Sequence, residues 1–279
     1  MSCPFLSPRN DLVFKLLFGD ARNTDILADF LNAALDLPEE DFLDIVLVDP
    51  HLNGEDIDDK QGILDVKAKT ATGKIIDIEI QVAEQPQMRE RIVFYLSRMI
   101  TEQINRGDSY RKIERSICIL ITDYVQIPEN GCYHNRYRLH DPKTGSAFTD
   151  LMEVNALELP KLPHNTDGTA LWSWLKFLAA RKDEELKMLA EKNPRIDKAV
   201  GRLKELSEDE RTRLLAESRE KWEWDHAARM QAAEEKGLEK GREEGLLAVA
   251  HAALRRNLPV EEIMALTGLS REKIQSLLH

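Results

Sequence analysis

Apolar positions recur along this chain with two different periods, and the alternation between them lays out its elements. Over residues 10–37 the period is helical. Asn10 or Asp11 suits an N-cap, Leu12, Phe14, Leu16 and Phe18 recur at helical spacing, and Gly19 offers a stop. Thr24 or Asp25 opens a second amphipathic helix with Ile26, Leu27, Phe30, Leu31 and Leu35 on one side. Residues 41–52 read as a strand ended by Pro50. Residues 62–82 alternate with period two around a turn at Thr72-Gly73, which predicts a hairpin.

Residues 86–107 return to helical period and end on Gly107. The run ERSICILITDY is almost wholly apolar, as a strand covered on both faces should be. Two further strands are predicted within 131–163, with turns at Asp141-Pro142 and Lys143-Thr144-Gly145. From Thr169 onward the strand period disappears. Residues 171–191 and 194–206 read as amphipathic helices, and Ser207 resembles the start of a capping box for a charged helix over roughly 208–236. Gly237, Gly241 and Gly245 then mark a weak, hinged helical stretch. The last residues read as helix, a turn at Thr267-Gly268-Leu269, and helix from Ser270. The pattern predicts an α/β body over 1–165, a helical extension over 166–236 and a C-terminal helical hairpin over 237–279.

Composition narrows the class of protein. The chain of 279 residues is 42% hydrophobic and 32% charged, enough apolar material for a core. It shows no membrane-length apolar run and no signal-peptide pattern. Three cysteines without metal spacing (Cys3, Cys118, Cys132) suit a reduced, cytoplasmic protein. The net charge of −11 falls wholly within residues 1–160, where 17 Lys+Arg oppose 28 Asp+Glu. A metal-dependent enzyme tolerates such a balance, because a cation reverses the local field.

The candidate chemistry lies in the hairpin. Residues two apart share a strand face, so Asp65, Lys67 and Lys69 point one way on the first strand. Asp77, Glu79 and Gln81 do the same on the second, and Ile76, Ile78 and Ile80 line the reverse. Carboxylates on adjacent strands suit a hard cation such as Mg²⁺, and a neighbouring lysine or amide suits a phosphate or a water. A solvated face of cross-strand Lys–acid pairs is the competing structural account. Arg89, Arg91 and Arg98 belong to a segment, residues 85–115, with seven bases against four acids, the best phosphate-backbone surface in the body.

Asp65 followed by Glu79-Ile80-Gln81 resembles the core of the PD-(D/E)XK nuclease superfamily, with Gln in place of the final lysine. Asp11-Leu-Val-Phe-Lys15, Asp65-Val-Lys67, Gly73 through Gln81, Arg91 to Tyr95 leading into Gly107-Asp-Ser-Tyr110, and Glu158-Leu-Pro-Lys161 occur in one order. That order resembles the transposase-like branch, the recombination-promoting nucleases. The resemblance implies a restriction-endonuclease-like core, a central mixed sheet flanked by helices, and Mg²⁺-dependent cutting of DNA, with Mn²⁺ as a substitute ion. It implies that Asp65 and Glu79 hold the metal, with Asp11 as a third acid, and that Gln81 stands where a lysine orients water. Lys67 is then the candidate source of the missing charge. The alternative is a protein that kept the fold and lost the rate, binding DNA or forming oligomers. Self-association through the C-terminal helices is expected under either reading.

Overall fold

The computed structural model describes residues 5–48, 66–85 and 87–277. Among them six strands form one mixed sheet: β1 (Val46–Val48), β2 (Val66–Lys69), β3 (Ile75–Gln81), β4 (Ser116–Thr122), β5 (His134–His140) and β6 (Ala147–Glu158). The spatial order is β1-β2-β3-β4-β6-β5. β3, β4 and β6 run parallel, and the outer pairings are antiparallel. All seven residues of β4 are buried, as its unbroken apolar run predicts.

Helices cover both faces. Ile76, Ile78 and Ile80 of β3 and Ile117, Ile119 and Ile121 of β4 share a core with α1 (Asp11–Phe18), α2 (Thr24–Ala34) and α4 (Ala170–Ala179). Phe14, Phe18, Phe30 and Trp174 fill its centre, with ring centroids 4.6 to 6.1 Å apart along the chain of contacts. On the other face α3 (Met88–Thr101) buries Met88, Ile92 and Leu96 against Cys118 and Leu120. This is the mixed sheet with flanking helices, followed by a helical stretch, that the sequence predicts. No helix among the described residues is long and apolar enough to cross a membrane.

Local signals set the element ends. The Asn10 side chain caps α1 by accepting from the Val13 N–H, so Asp11 is its first residue and not its cap. A Cβ at position 19 would lie 2.7 Å from the Lys15 carbonyl oxygen, so only glycine closes α1 this tightly. Gly73, at φ +96°, turns the β2–β3 hairpin.

Several expectations are corrected. The predicted strand over 41–52 is confined among described residues to Val46–Val48, because residues 39–42 form a 3₁₀ turn. Pro50 lies outside the described residues. α3 stops at Thr101 rather than Gly107. The single helix expected over 171–191 is two, α4 and α5 (Asp183–Ala190), with Ala180 and Lys182 extended between them. Ser207 does not open the charged helix; it ends α6 (Pro194–Glu208), and its hydroxyl donates to the Leu203 carbonyl. Asp209 accepts from the Thr212 N–H at the start of α7 (Glu210–Arg255), which continues through Gly237, Gly241 and Gly245 without a break.

Residues 1–222 form one compact unit and residues 223–279 a second. In the second, Ala250, Ala253, Ile263 and Ile274 make a small core with α8 (Val260–Thr267) and α9 (Arg271–Ser276). Gly268 at φ +71° ends α8, and Ser270 caps α9.

The 3₁₀ turn is fastened to the hairpin by a buried charge. Asp41 is fully buried and accepts from Lys74 Nζ at 2.8 and 2.9 Å and from Thr70 Oγ1 at 3.1 Å, with Thr72 alongside. Burial pushes this carboxyl up, but the bonds from Lys74, Thr72 and Thr70 outweigh it and hold the group below the ordinary carboxylate value. Replacing Asp41 with Ala should therefore destabilise the fold by about 2 kcal/mol, since Lys74 still reaches water. A depressed carboxyl stabilises above its unfolded pKa and loses that contribution as pH falls through the folded one. Urea titrations should show the wild-type advantage over Asp41→Ala at neutral pH and its progressive loss below about pH 4.

Candidate metal and phosphodiester site

The antiparallel register sets Lys67 opposite Asp77 and Val66 opposite Ile78. Lys67, Asp77, Glu79 and Gln81 consequently share one sheet face, and Val66, Ala68 and the isoleucines share the reverse. The parallel register continues that face across β4, pairing Asp77 with Cys118, Glu79 with Leu120 and Gln81 with Thr122. Cys118 and Leu120 lie under α3, so the acid-bearing face is largely enclosed: Asp77 is 1% exposed and Glu79 3%. A solvated face of exposed ion pairs does not describe these carboxylates.

Gln81 lies on the same strand two residues beyond Glu79, and its amide nitrogen donates to Glu79 Oε2 at 3.1 Å. Gln81, Thr122 and Glu158 stand in register at the carboxyl ends of three parallel strands, the location at which open α/β sheets place ligands. Asp65 lies outside the described residues. Asp11 forms an ion pair with Arg219 of α7 at 2.8 Å. Among the described residues no three His, Cys, Asp or Glu side chains gather as a metal cluster, so Asp11 is not drawn in with Asp77 and Glu79. Arg9, two residues before α1, does reach this end of the sheet. It pairs with Asp123 at 2.6 Å, and the Asp123 N–H donates to the Gln81 carbonyl at 3.0 Å.

The arginines divide. Arg89 donates to the Gln126 carbonyl at 2.6 Å and Arg91 to the Tyr95 hydroxyl at 3.0 Å, with Gln85 beside it. Both therefore stand at the start of α3, close to the loops that follow β3 and β4. Arg98 lies two turns further on, paired with Glu102 on the exposed side of the helix.

Two features of this end, Glu158 and Tyr124, and one beside the opposite end of β4, Glu153, were not assigned roles from the sequence. Glu158 is fully buried; its Oε1 accepts the N–H groups of Gln126 and Ile127 at 2.8 and 2.9 Å, and Lys161 Nζ meets its Oε2 at 2.7 Å. This pair pins the loop after β4 across the strand ends, and the Glu158-Leu-Pro-Lys161 spacing was its signal. Tyr124 in that loop has its hydroxyl pushed up to about 12, chiefly by burial and then by Glu84, so it stays a neutral phenol. Nothing in the local sequence distinguishes it. Glu153, 2% exposed on β6, faces the opposite side of the sheet among Arg115, Arg136 and Arg138.

The donors on the acid-bearing face are carboxylate and amide oxygens with a primary amine alongside. That set suits a hard divalent cation and a phosphate; the thiol on the same face, Cys118, is packed under α3 in the small apolar cluster with Leu120. A family model described as PD-(D/E)XK nuclease family transposase matches residues 8–233. No curated protein and no solved structure matches the chain.

Removing Lys161 should strand a buried charge. Lys161→Ala is expected to lose about 3 kcal/mol of stability. Arg98→Ala, which removes one partner of an exposed pair, should change stability by less than about 1 kcal/mol. Urea denaturation of the two variants side by side measures the contrast.

Proposed function

The chain belongs to the PD-(D/E)XK nuclease family of transposases, and from that premise we propose that it is a divalent-metal-dependent DNA endonuclease of transposase type. Its reaction is phosphodiester hydrolysis, with promotion of recombination as the consequence, and its place of action is the cytoplasm. The observation that carries this reading is the enclosed face of β3, where Glu79 and Gln81 are hydrogen-bonded at the carboxyl ends of the parallel strands.

Asp65, the residue preceding β2, and Glu79 would hold Mg²⁺, or Mn²⁺ in its place. Asp11 would join as a third acid by exchanging Arg219 for the ion. When bound, a divalent ion lowers the pKa of a coordinated water and stabilises charge developing on the phosphate. The protein's own groups do the rest. The Gln81 amide can both donate and accept, so it orients the attacking water by hydrogen bonds without supplying charge. Lys67, on the same face, supplies the positive charge that Gln81 lacks. Arg89 and Arg91 at the start of α3, with Arg98 further along, hold the phosphate backbone. Enclosure beneath α3 strengthens the electrostatic contacts of Glu79 by excluding water, while Arg89 and Arg98 stay on the solvent side.

Self-association accompanies the reaction in this reading. In residues 223–279 Trp224 is 71% exposed and Leu238 76%, apolar surface that a second copy would cover.

Supercoiled-plasmid nicking tests the proposal. Wild type should nick with Mg²⁺ or Mn²⁺ and not with EDTA, and Asp65→Ala and Glu79→Ala should abolish the reaction. Gln81→Ala and Lys67→Ala should each slow it by about a hundredfold. Equal nicking by wild type and both carboxylate variants would refute the site. A protein that binds DNA but never nicks it, with either metal, would replace the nuclease by a DNA-binding member of the same fold.

A further inference from the structure

β6 is longer than the sheet it belongs to. β4 pairs with it only from Met152 onward, whereas β5 pairs with it back to Ala147. Residues 139–149 therefore form a two-stranded ribbon that no third strand among the described residues supports. Its turn is ordered: Asp141 Oδ1 accepts from the N–H groups of Lys143 and Thr144 at 2.7 and 2.9 Å, and Gly145 sits at φ +72°. Register shifts on both sides of Leu139 add twist. The ribbon is exposed, and Phe148 on it is 88% accessible. An isolated pair of strands is marginally stable, and an exposed ring adds nothing to it.

The base of this ribbon is basic and fixed. Arg138 lies in register with Glu153, and Arg138 Nε meets Glu153 Oε2 at 2.5 Å. Arg115 joins the same oxygen and Arg136 approaches Oε1 at 3.7 Å, while Asn155 donates to Oε1 at 2.8 Å. Burial pushes the Glu153 carboxyl up, but Asn155 and the arginines more than offset it and keep it below its usual value. Asp36, 3.3 Å from Arg136, is the other carboxylate of the group. Three guanidiniums thus face two carboxylates, and Arg136 and Arg138 keep side-chain exposures of 29% and 30%. This excess of positive charge stands within a chain of net charge −11.

We propose that the β5–β6 ribbon and its arginine base form a DNA-contact surface, on the sheet face opposite Glu79, that holds a duplex by its phosphates and enters a groove. Three properties fit that occupant. Residues two apart on a strand lie about 6.7 Å apart, close to the step between successive phosphates on one nucleic-acid strand, and Arg136 and Arg138 have that spacing. Guanidiniums bind phosphate through paired N–H donors. A two-stranded ribbon is narrow enough for the major groove, where an apolar ring such as Phe148 meets thymine methyl groups. The inference rests on the DNA reading proposed above and adds a second contact to it.

The test is fluorescence anisotropy of a short labelled duplex with EDTA present, so that binding is read without cleavage. Arg136→Gln/Arg138→Gln should weaken binding about tenfold or more at low salt. It should also flatten the slope of log affinity against log salt by about 1.8, the value for two phosphate contacts. Phe148→Ser should weaken binding about fivefold and leave the slope unchanged. Wild-type affinity and slope in both variants would overturn the proposal. If the double arginine variant has lost its thermal transition, Phe148→Ser and Lys143→Glu decide, since neither residue contacts Glu153; unchanged affinity in both overturns it. A Phe148→Ser protein that becomes monomeric in sedimentation with unchanged affinity per protomer would assign the ribbon to a second copy instead. A wild type that binds through these arginines but never nicks plasmid would refute the nuclease and leave this surface standing. Nicking that persists while the variants bind as wild type would do the reverse.

Discussion

The molecule is organised by a strand that cannot be exposed on either side. β4 buries all seven of its residues, so both sheet faces beside it must be covered by helices. Its neighbours β3 and β6 run parallel to it, and parallel neighbours require crossover connections. α3 is the crossover between β3 and β4, which is why it lies over the face that bears Asp77 and Glu79. The same parallel arrangement brings the carboxyl ends of three strands together, with Gln81, Thr122 and Glu158 in register. The candidate site is therefore a consequence of how the core is enclosed.

Burying so much of a mixed sheet brings carboxylates inside, and the fold ties each to a distant element. Asp41 meets Lys74 across 33 residues, and Glu153 meets Arg115 across 38. Glu158 is held by Lys161 and by two main-chain N–H groups of the loop after β4. A buried charge deprived of its partner is expensive, so these contacts fix the position of turns and loops that propensity alone leaves loose. Asp41 fixes the turn before β1, Glu158 fixes the loop over the strand ends, and Glu153 fixes the arginines below the β5–β6 ribbon. Glu79 of β3 differs in setting: it lies one alternation before the carboxyl end of its strand, enclosed by α3 and bonded to Gln81.

Strand and helix periods, the Gly73 turn, a cap at Asn10 or Asp11, a helix opening at Ser270 and the two-sided burial of β4 were legible in the sequence, because each depends on residues within one turn or one strand. The division of the hairpin into an isoleucine face and a carboxylate face was legible for the same reason. What failed was local pattern extended too far. The run over 171–191 keeps its helical period through Arg181, yet it breaks there, since Trp174 and Leu178 and then Leu186 and Leu189 all have to reach one core. The glycines at 237, 241 and 245 predicted weakness, and α7 runs through them regardless.

The sequence by itself determined the class of fold, the order of the elements and the side of the hairpin on which Glu79 and Gln81 lie. Only the tertiary structure decided that this side is enclosed by α3, that Asp11 joins Arg219, and that Glu153 gathers Arg115, Arg136 and Arg138. The physical reason is separation along the chain. Periodicity reports which face a residue occupies, whereas a partner 38 residues away for Glu153, or 208 for Asp11, is chosen by strand register and helix packing once the core has closed.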